Sequence, residues 1–252
     1  MQTAYEERYH QLEARQWWFV ARRHILRNLV QRESPDRRSR ILDLGCSGGE
    51  LLKELLDDGY PSASGIDLSF EAVALCRAAG LRVDRMDAQL LDFPNATFDV
   101  LIASDVLEHI QDDQQALQEW GRVLKPGGLL MVFVPAYMFL WTEHDEANMH
   151  YRRYRRMELA RLLRANGFLV ERSSYWNTLL FPPVAVIRLW RRWCSGKSDS
   201  GDKGDLIEPA PRVNALLTAL LHAENHLLCF GLNWPVGVSV MALARKPLYP
   251  KH

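Results

Sequence analysis

The segment Arg40-Ile41-Leu42-Asp43-Leu44-Gly45-Cys46-Ser47-Gly48-Gly49 constrains this chain more than any other. A short apolar run enters a glycine-rich turn, and Leu51, Leu52, Leu55 and Leu56 follow at helical spacing. A strand, a tight turn and a helix in that order bring backbone close to a ligand at the carboxyl end of the strands. They also predict the α/β class, because a strand that feeds a helix returns to the sheet as a parallel neighbour.

The alternation continues downstream. Ser64–Asp67 reads as a second strand, with Ser69 as the cap of the next helix, and Leu81–Met86 and Phe98–Ser104 as the third and fourth. A helix over Gln114–Leu124 ends at a Lys125-Pro126-Gly127-Gly128 turn, and Leu129–Val134 is the fifth strand. After a helix over Met157–Asn166, closed by Gly167, come Phe168–Ser173 and Val238–Arg245. The expected fold is α/β: a seven-stranded, mostly parallel sheet with helices on both faces, a helical N-terminal cap and a helical insertion before the last strand. One domain follows, with the cap over 1–37, the sheet core over 38–174 and 236–246, and the insertion over 175–235. The insertion carries two apolar helical patterns, Val184–Trp193 and Val213–Leu228, separated by the polar stretch Ser195–Asp205.

Composition narrows the partners. Lysine and arginine number 31 against 31 aspartate and glutamate, a balance that argues against nucleic acid as the main partner. Four cysteines (Cys46, Cys76, Cys194, Cys229) show no paired spacing, and the first residues are polar, which leads to the expectation of a reducing cytoplasm. The uncharged run Leu227–Ala244 is interrupted by Gly231, Asn233, Pro235 and Gly237, so no transmembrane helix is expected. Trp190-Arg191-Arg192-Trp193 leaves a peripheral membrane contact through 184–193 open, beside a substrate lid and a dimer interface. The oligomeric state is not legible.

The turn itself selects the ligand. A dinucleotide fingerprint requires glycine at 45, 47 and 50, where this chain has Gly45, Ser47 and Glu50. Asp43 and Glu50 bracket the turn with negative charge, a poor setting for a pyrophosphate and a good one for a cationic cofactor. Asp43-Leu44-Gly45-Cys46-Ser47-Gly48-Gly49 resembles the glycine-rich motif of class I S-adenosylmethionine-dependent methyltransferases of the small-molecule type, with Ser47 where glycine is commonest. Four further segments resemble that family in the same order: Asp67-Leu68, Asp87-Ala88, Ser104-Asp105-Val106-Leu107-Glu108-His109 and Leu124-Lys125-Pro126-Gly127-Gly128.

The resemblance covers residues 38–174 and implies a methyl transfer by in-line displacement to oxygen or nitrogen, with carbon a third choice, of a small-molecule acceptor. It implies a cofactor site of Asp43, Gly45, Ser47, Gly49, Asp67, Leu68, Asp87, Ala88 and Ser104, with Asp67 on the ribose hydroxyls and Asp87-Ala88 at the adenine. Trp17-Trp18-Phe19 resemble a leader in which aromatics cover the cofactor and Arg22 or Arg23 meets its carboxylate; packing of the same helix on the sheet is the competing reading. A catalytically silent binding protein and a nicotinamide-dependent oxidoreductase are the alternatives, the second disfavoured by Ser47 and Glu50.

Proton removal from an acceptor calls for histidine first, which singles out His109 and His150. The segment from His144 to Tyr154 allows three readings: His150 as general base with Arg152, Arg153 and Tyr154 gripping an anionic substrate, a metal set of His144, Asp145 and His150, or a structural loop. The metal spacing matches no standard site, so no metal is assigned. His144, Trp176 and Asn177 complete the expected substrate contacts, and Phe181, Trp190 and Trp193 the expected apolar pocket.

Overall fold

The computed structural model describes residues 12–194 and 209–249, with the side chains of His144 and of residues 191–194 outside that description. The chain runs α1 (Trp17–Glu33), β1 (Ile41–Leu44), α2 (Glu50–Asp57), β2 (Ala63–Asp67), α3 (Phe70–Ala78), β3 (Val83–Arg85) and β4 (Phe98–Ser104). It continues through α4 (Asp113–Val123), β5 (Leu124–Pro135), α5 (Glu143–Ala147), α6 (Arg156–Ala165), β6 (Leu169–Trp176), α7 (Phe181–Cys194), α8 (Pro211–Cys229) and β7 (Ser239–Arg245). Single turns of 3₁₀ helix occupy Leu107–His109 and Met138–Leu140.

The seven strands lie in the order β3-β2-β1-β4-β5-β7-β6. Pairings from β3 across to β5 are parallel, and β7 runs antiparallel to both β5 and β6. Alternation along each strand serves two cores. In β5, Leu129, Met131 and Phe133 pack under α1, α2 and α8. Leu130, Val132 and Val134 pack against Leu117 and Trp120 of α4 and Leu159 and Leu163 of α6. Helices therefore cover both faces, as the alternating pattern predicts.

The elements begin and end for local reasons. Ser69 Oγ accepts from Ala72 N–H at 3.1 Å and caps α3, and Asp112 does the same for α4. Pro211 opens α8, where its missing N–H has no partner to lose. Several expected boundaries move, β6 among them, which ends at Trp176 rather than Ser173. The third strand is shorter than Leu81–Met86, and α7 starts at Phe181 rather than Val184. The Lys125–Gly128 turn lies inside β5, as a bulge across from Phe98 and Val100, because Gly127 N–H donates to Lys246 O at 2.8 Å and ties the bend to the end of β7. No helix among the described residues is long and apolar enough to cross a membrane.

Two clusters bind α1 to its surroundings. Arg22 is buried, salt-bridged to Asp105 at 3.0 Å and hydrogen-bonded to Ser104 Oγ and Ser239 Oγ. Its guanidinium also lies 4.7, 4.5 and 4.3 Å from the rings of Trp18, Phe133 and Trp176. Two residues on, His24 stacks on His222 of α8 at 4.1 Å and meets His226 edge-on at 5.5 Å. Burial, then the charges of His222, His226 and Arg27, lower the His24 pKa from 6.5 to about 4.

Between those two values the unfolded chain binds a proton that the folded chain refuses, so stability rises with pH across the window and is lost as pH falls from 6.5 toward 4. Allowing for the partial exposure of the ring, the loss should be about 1–2 kcal/mol. Urea unfolding at a series of pH values should show this slope in the wild type and a shallower one in His24→Gln. Equal slopes would remove the histidine cluster as its cause.

Candidate functional site

Strand order reverses between β1 and β4, and a cleft of about 1070 Å³ opens where their carboxyl ends part. Its first wall is the glycine-rich turn. Gly45 has φ 69°, and a Cβ there would stand 2.8 Å from Val106 Cγ2, so both conformation and space require glycine. Ser47 also takes a left-handed φ, 48°, which is the physical reason glycine suits that position. Its Oγ donates to Glu13 Oε2 at 2.9 Å, and Gly48 N–H donates to the same oxygen at 3.1 Å.

Asp67, at the end of β2, fastens the turn from the other side. Oδ2 accepts from Ser47 N–H and Oδ1 from Ser69 N–H, both at 2.9 Å. Asp43 lies beneath the turn, buried, and not in the cleft wall. Burial, then the charges of Glu13 and Asp67, push its carboxyl well above the usual range. The Asp67 and Glu13 carboxylates thus focus negative potential on one turn. That repels a pyrophosphate and attracts a ligand carrying positive charge.

The adjoining wall holds Leu68, Phe70, Asp87 and Ala88, with Leu68 and Phe70 at 63% and 68% exposure offering apolar surface at the lip. Trp17, Trp18 and Phe19 of α1 face the same space. Gly49 does not: at φ 78° it precedes α2, and a Cβ there would strike Leu81 and Cys76. Ser104 is likewise set back from the wall and serves Arg22 and Asp105. Arg22 points into the core, and Arg23 pairs with Glu54 at 2.7 Å, so the expected contact of either with a cofactor carboxylate is replaced by internal ion pairs. The packing reading of the tryptophan-arginine helix describes both arginines, while its aromatics do reach the cleft.

The far end is built by the 3₁₀ turn after β4, the segment after β5 and α7. His109 and His150 meet edge to face with ring centroids 4.5 Å apart. His150 Nδ1 lies 2.9 Å from Asp145 Oδ1, and Arg153 grips the same buried carboxylate with Nε at 2.8 Å and Nη2 at 2.9 Å. Burial alone would raise the Asp145 pKa, but the bonds from His150 and Arg153 prevail and hold it well below the usual carboxylate range. Glu108 is fully buried in the same wall, and neither of its carboxylate oxygens has a hydrogen-bond partner. Burial, then the Asp105 charge, raise its pKa well above the ordinary value.

Several expected substrate contacts are corrected. Arg152 Nη1 binds Asp113 at 2.8 Å, and Tyr154 Oη donates to the same carboxylate at 3.1 Å, behind the wall. Trp176 is fully buried against Arg22 and donates from Nε1 to Asn225 at 2.7 Å, because β6 runs on past the expected end at Ser173 and includes it. Phe181 packs near Tyr137, and Trp190 is 64% exposed; Val184, Ile187 and Arg188 of α7 face the cleft instead. Asn177 and Arg153 do line it. The side chains of His144 and Trp193 lie outside the described residues.

Four non-glycine residues of the lining, Ser47, Asp105, Met149 and Asn177, hold left-handed backbone conformations. Strain of this kind persists where surrounding structure fixes a functional surface. Glu13 and Glu108 escape sequence reasoning, since only the folded chain sets one against the turn and buries the other. The helical period of Val184 and Ile187 signals the third wall.

Sheet order, switch point and acidic turn together define a Rossmann-like domain built for a cationic cofactor rather than a dinucleotide. The chain belongs to the methyltransferase-domain family, whose model, described as "Methyltransferase domain", matches residues 18–173. S-adenosylmethionine is the methyl donor of this class. A relative from Mycolicibacterium smegmatis named as a probable S-adenosylmethionine-dependent methyltransferase is 34% identical over 52% of this chain and 52% of its own. The trans-aconitate 2-methyltransferase of an Azoarcus species is 29% identical over 74% of this chain and 72% of its own. Haemonchus contortus phosphoethanolamine N-methyltransferase 2, solved in complex with S-adenosyl-L-methionine, shares the fold with a TM-score of 0.56 at 18% identity, over 87% of this chain and 51% of that one. The chain spans little more than half the length of the mycobacterial relatives it matches, 52% and 58%.

Proposed function

We propose that this domain methylates an oxygen or nitrogen of a small organic acceptor, held between the His109–His150 pair and α7. The observation that carries the reading is the continuity of one cleft from the acidic turn at Gly45 and Ser47 to the histidine pair. Asp67 offers its carboxylate to the ribose hydroxyls, Leu68 and Phe70 offer apolar surface to the adenine, and Asp87-Ala88 border the same wall. S-adenosylmethionine, when bound, supplies an electrophilic methyl group on a sulfonium. The chain's own work is to orient the acceptor, exclude water beneath Trp17 and Trp18, and draw off the acceptor proton. The bond from His150 Nδ1–H to Asp145 leaves the ring's lone pair on Nε2, the form in which the imidazole accepts a proton or a cation. The Azoarcus relative, which by its name acts on a small carboxylic acid, supports a small acceptor.

Calorimetric titration with S-adenosylmethionine and with NAD, followed by tritiated-methyl transfer to a panel of small acids, phenols and amines, tests the proposal. Saturable binding of the first ligand alone and a labelled product are expected; binding of NAD alone would sink it. With a reactive acceptor in hand, His150→Ala should lower kcat about 10²–10⁴-fold while moving cofactor affinity little. Asp145→Asn, which loosens the ring without deleting it, should fall between. Full turnover in His150→Ala would remove that residue from the chemistry.

A further inference from the structure

We infer that Glu108, His109 and His150 form a binding site for one divalent first-row transition cation, open to the cleft on the acceptor side. One potential ligand atom from each of the three lies within 4.8 Å of the others. Two imidazoles and one carboxylate are a ligand set that holds zinc or iron(II) while leaving coordination positions for a second molecule. Closing around a tetrahedral ion brings such atoms to about 3.3 Å of one another, given metal–ligand bonds of about 2 Å.

Three independent features point to a cation. The first is Glu108 itself: a fully buried carboxyl in the cleft wall, both oxygens without a partner, is costly unless something positive compensates it. The second is Asp145, which takes His150 Nδ1–H and so presents Nε2 as the ligating nitrogen. A carboxylate behind a histidine in this way is the usual outer support of a metal site. Asp145 is in turn locked by two bonds from Arg153. The third is charge balance. The guanidinium groups that influence Glu108, Arg22 and Arg153, are each matched, by Asp105 at 3.0 Å and Asp145 at 2.8 Å. No unmatched arginine among them opposes an incoming ion.

The ligands come from two chain segments, the turn after β4 and the loop after α5, so no local spacing announces them. The role of the ion rests on the proposed methyl transfer: with His150 ligating rather than acting as the base, an acceptor hydroxyl or enol coordinated at the open positions would lose its proton to solvent near neutral pH and be held by its oxygen. The occupancy of the site does not rest on that reading.

Cobalt(II) is the probe, because its visible ligand-field absorption reports the donors directly. The full chain, stripped with chelator, should bind one equivalent. Glu108→Gln, His109→Ala and His150→Ala should each weaken binding at least 100-fold, and Asp145→Asn about 10–100-fold. Circular dichroism and thermal melting of each variant establish that it is folded. His24→Gln, in the other histidine cluster, should bind as the wild type does. The inference is overturned if the folded wild type shows no saturable binding. It is equally overturned by wild-type affinity in folded Glu108→Gln and His150→Ala, by loss in His24→Gln instead, or by a thiolate charge-transfer band placing the ion on Cys46 or Cys76. Parallel titration with S-adenosylmethionine separates the two proposals: cobalt binding without cofactor binding sinks only the methyl-transfer reading.

Discussion

Arg22→Ala should lower the free energy of unfolding by about 3–5 kcal/mol. The substitution removes a buried ion pair to Asp105 and hydrogen bonds to Ser104 and Ser239. It also leaves a cavity between the rings of Trp18, Phe133 and Trp176. Asp105 retains some access to solvent and recovers part of its hydration, which keeps the loss within that range. Arg22→Met divides the effect, since it refills the space among the rings without restoring the ion pair. Urea melts should rank wild type above Arg22→Met above Arg22→Ala. A loss below about 1 kcal/mol in the alanine variant would show that the guanidinium is dispensable to α1, and that the aromatic rings alone hold the helix.

Asp67→Ala should weaken S-adenosylmethionine binding by at least 100-fold, or about 3 kcal/mol, since hydrogen bonds to a charged group are each worth about 1.5–3 kcal/mol. Two losses combine. On the proposed contact the ribose forfeits its acceptors, and the turn loses the bonds that hold Ser47 N–H and Ser69 N–H. Because Ser47 sits in a left-handed conformation that serine resists, the released turn should relax away from its bound shape. Asp67→Asn keeps one oxygen for one backbone N–H and should bind with intermediate affinity. Unchanged affinity in Asp67→Ala, with a native circular dichroism spectrum, would contradict the ribose assignment.

The strands and the turn were legible because their signals are local. The unbroken burial of Val100–Ala103 in β4, covered on both faces, and the glycine at 45 are dictated by backbone geometry that any neighbouring sequence must respect. Where reading failed, the deciding partner was distant. Arg152 and Tyr154 stand in a segment rich in binding chemistry, but both are taken by Asp113, about forty residues away. Trp176 resembles a pocket aromatic until β6 is seen to run through it and α1 to place Arg22 on its face. Glu108 lies in a segment identified from resemblance, yet its unusual burial follows only from how the loop after α5 folds across the turn after β4, with Tyr151 N–H donating to Glu108 O at 2.8 Å.

The long excursion between β6 and β7 leaves and rejoins the sheet at one point: Trp176 pairs with Ser239, and Val238 N–H donates to Asn177 O at 3.3 Å. Geometrically it is a hairpin whose tip has been enlarged into two helices. The entropy of closing such a tip grows only with the logarithm of its length, so residues can be gained or lost there at small cost to the sheet. The stem also ends beside the cleft, where Asn177 and Ser239 lie. Ancestral chains could therefore trade one tip for another without re-registering a strand, and a laboratory graft has the same two splice points.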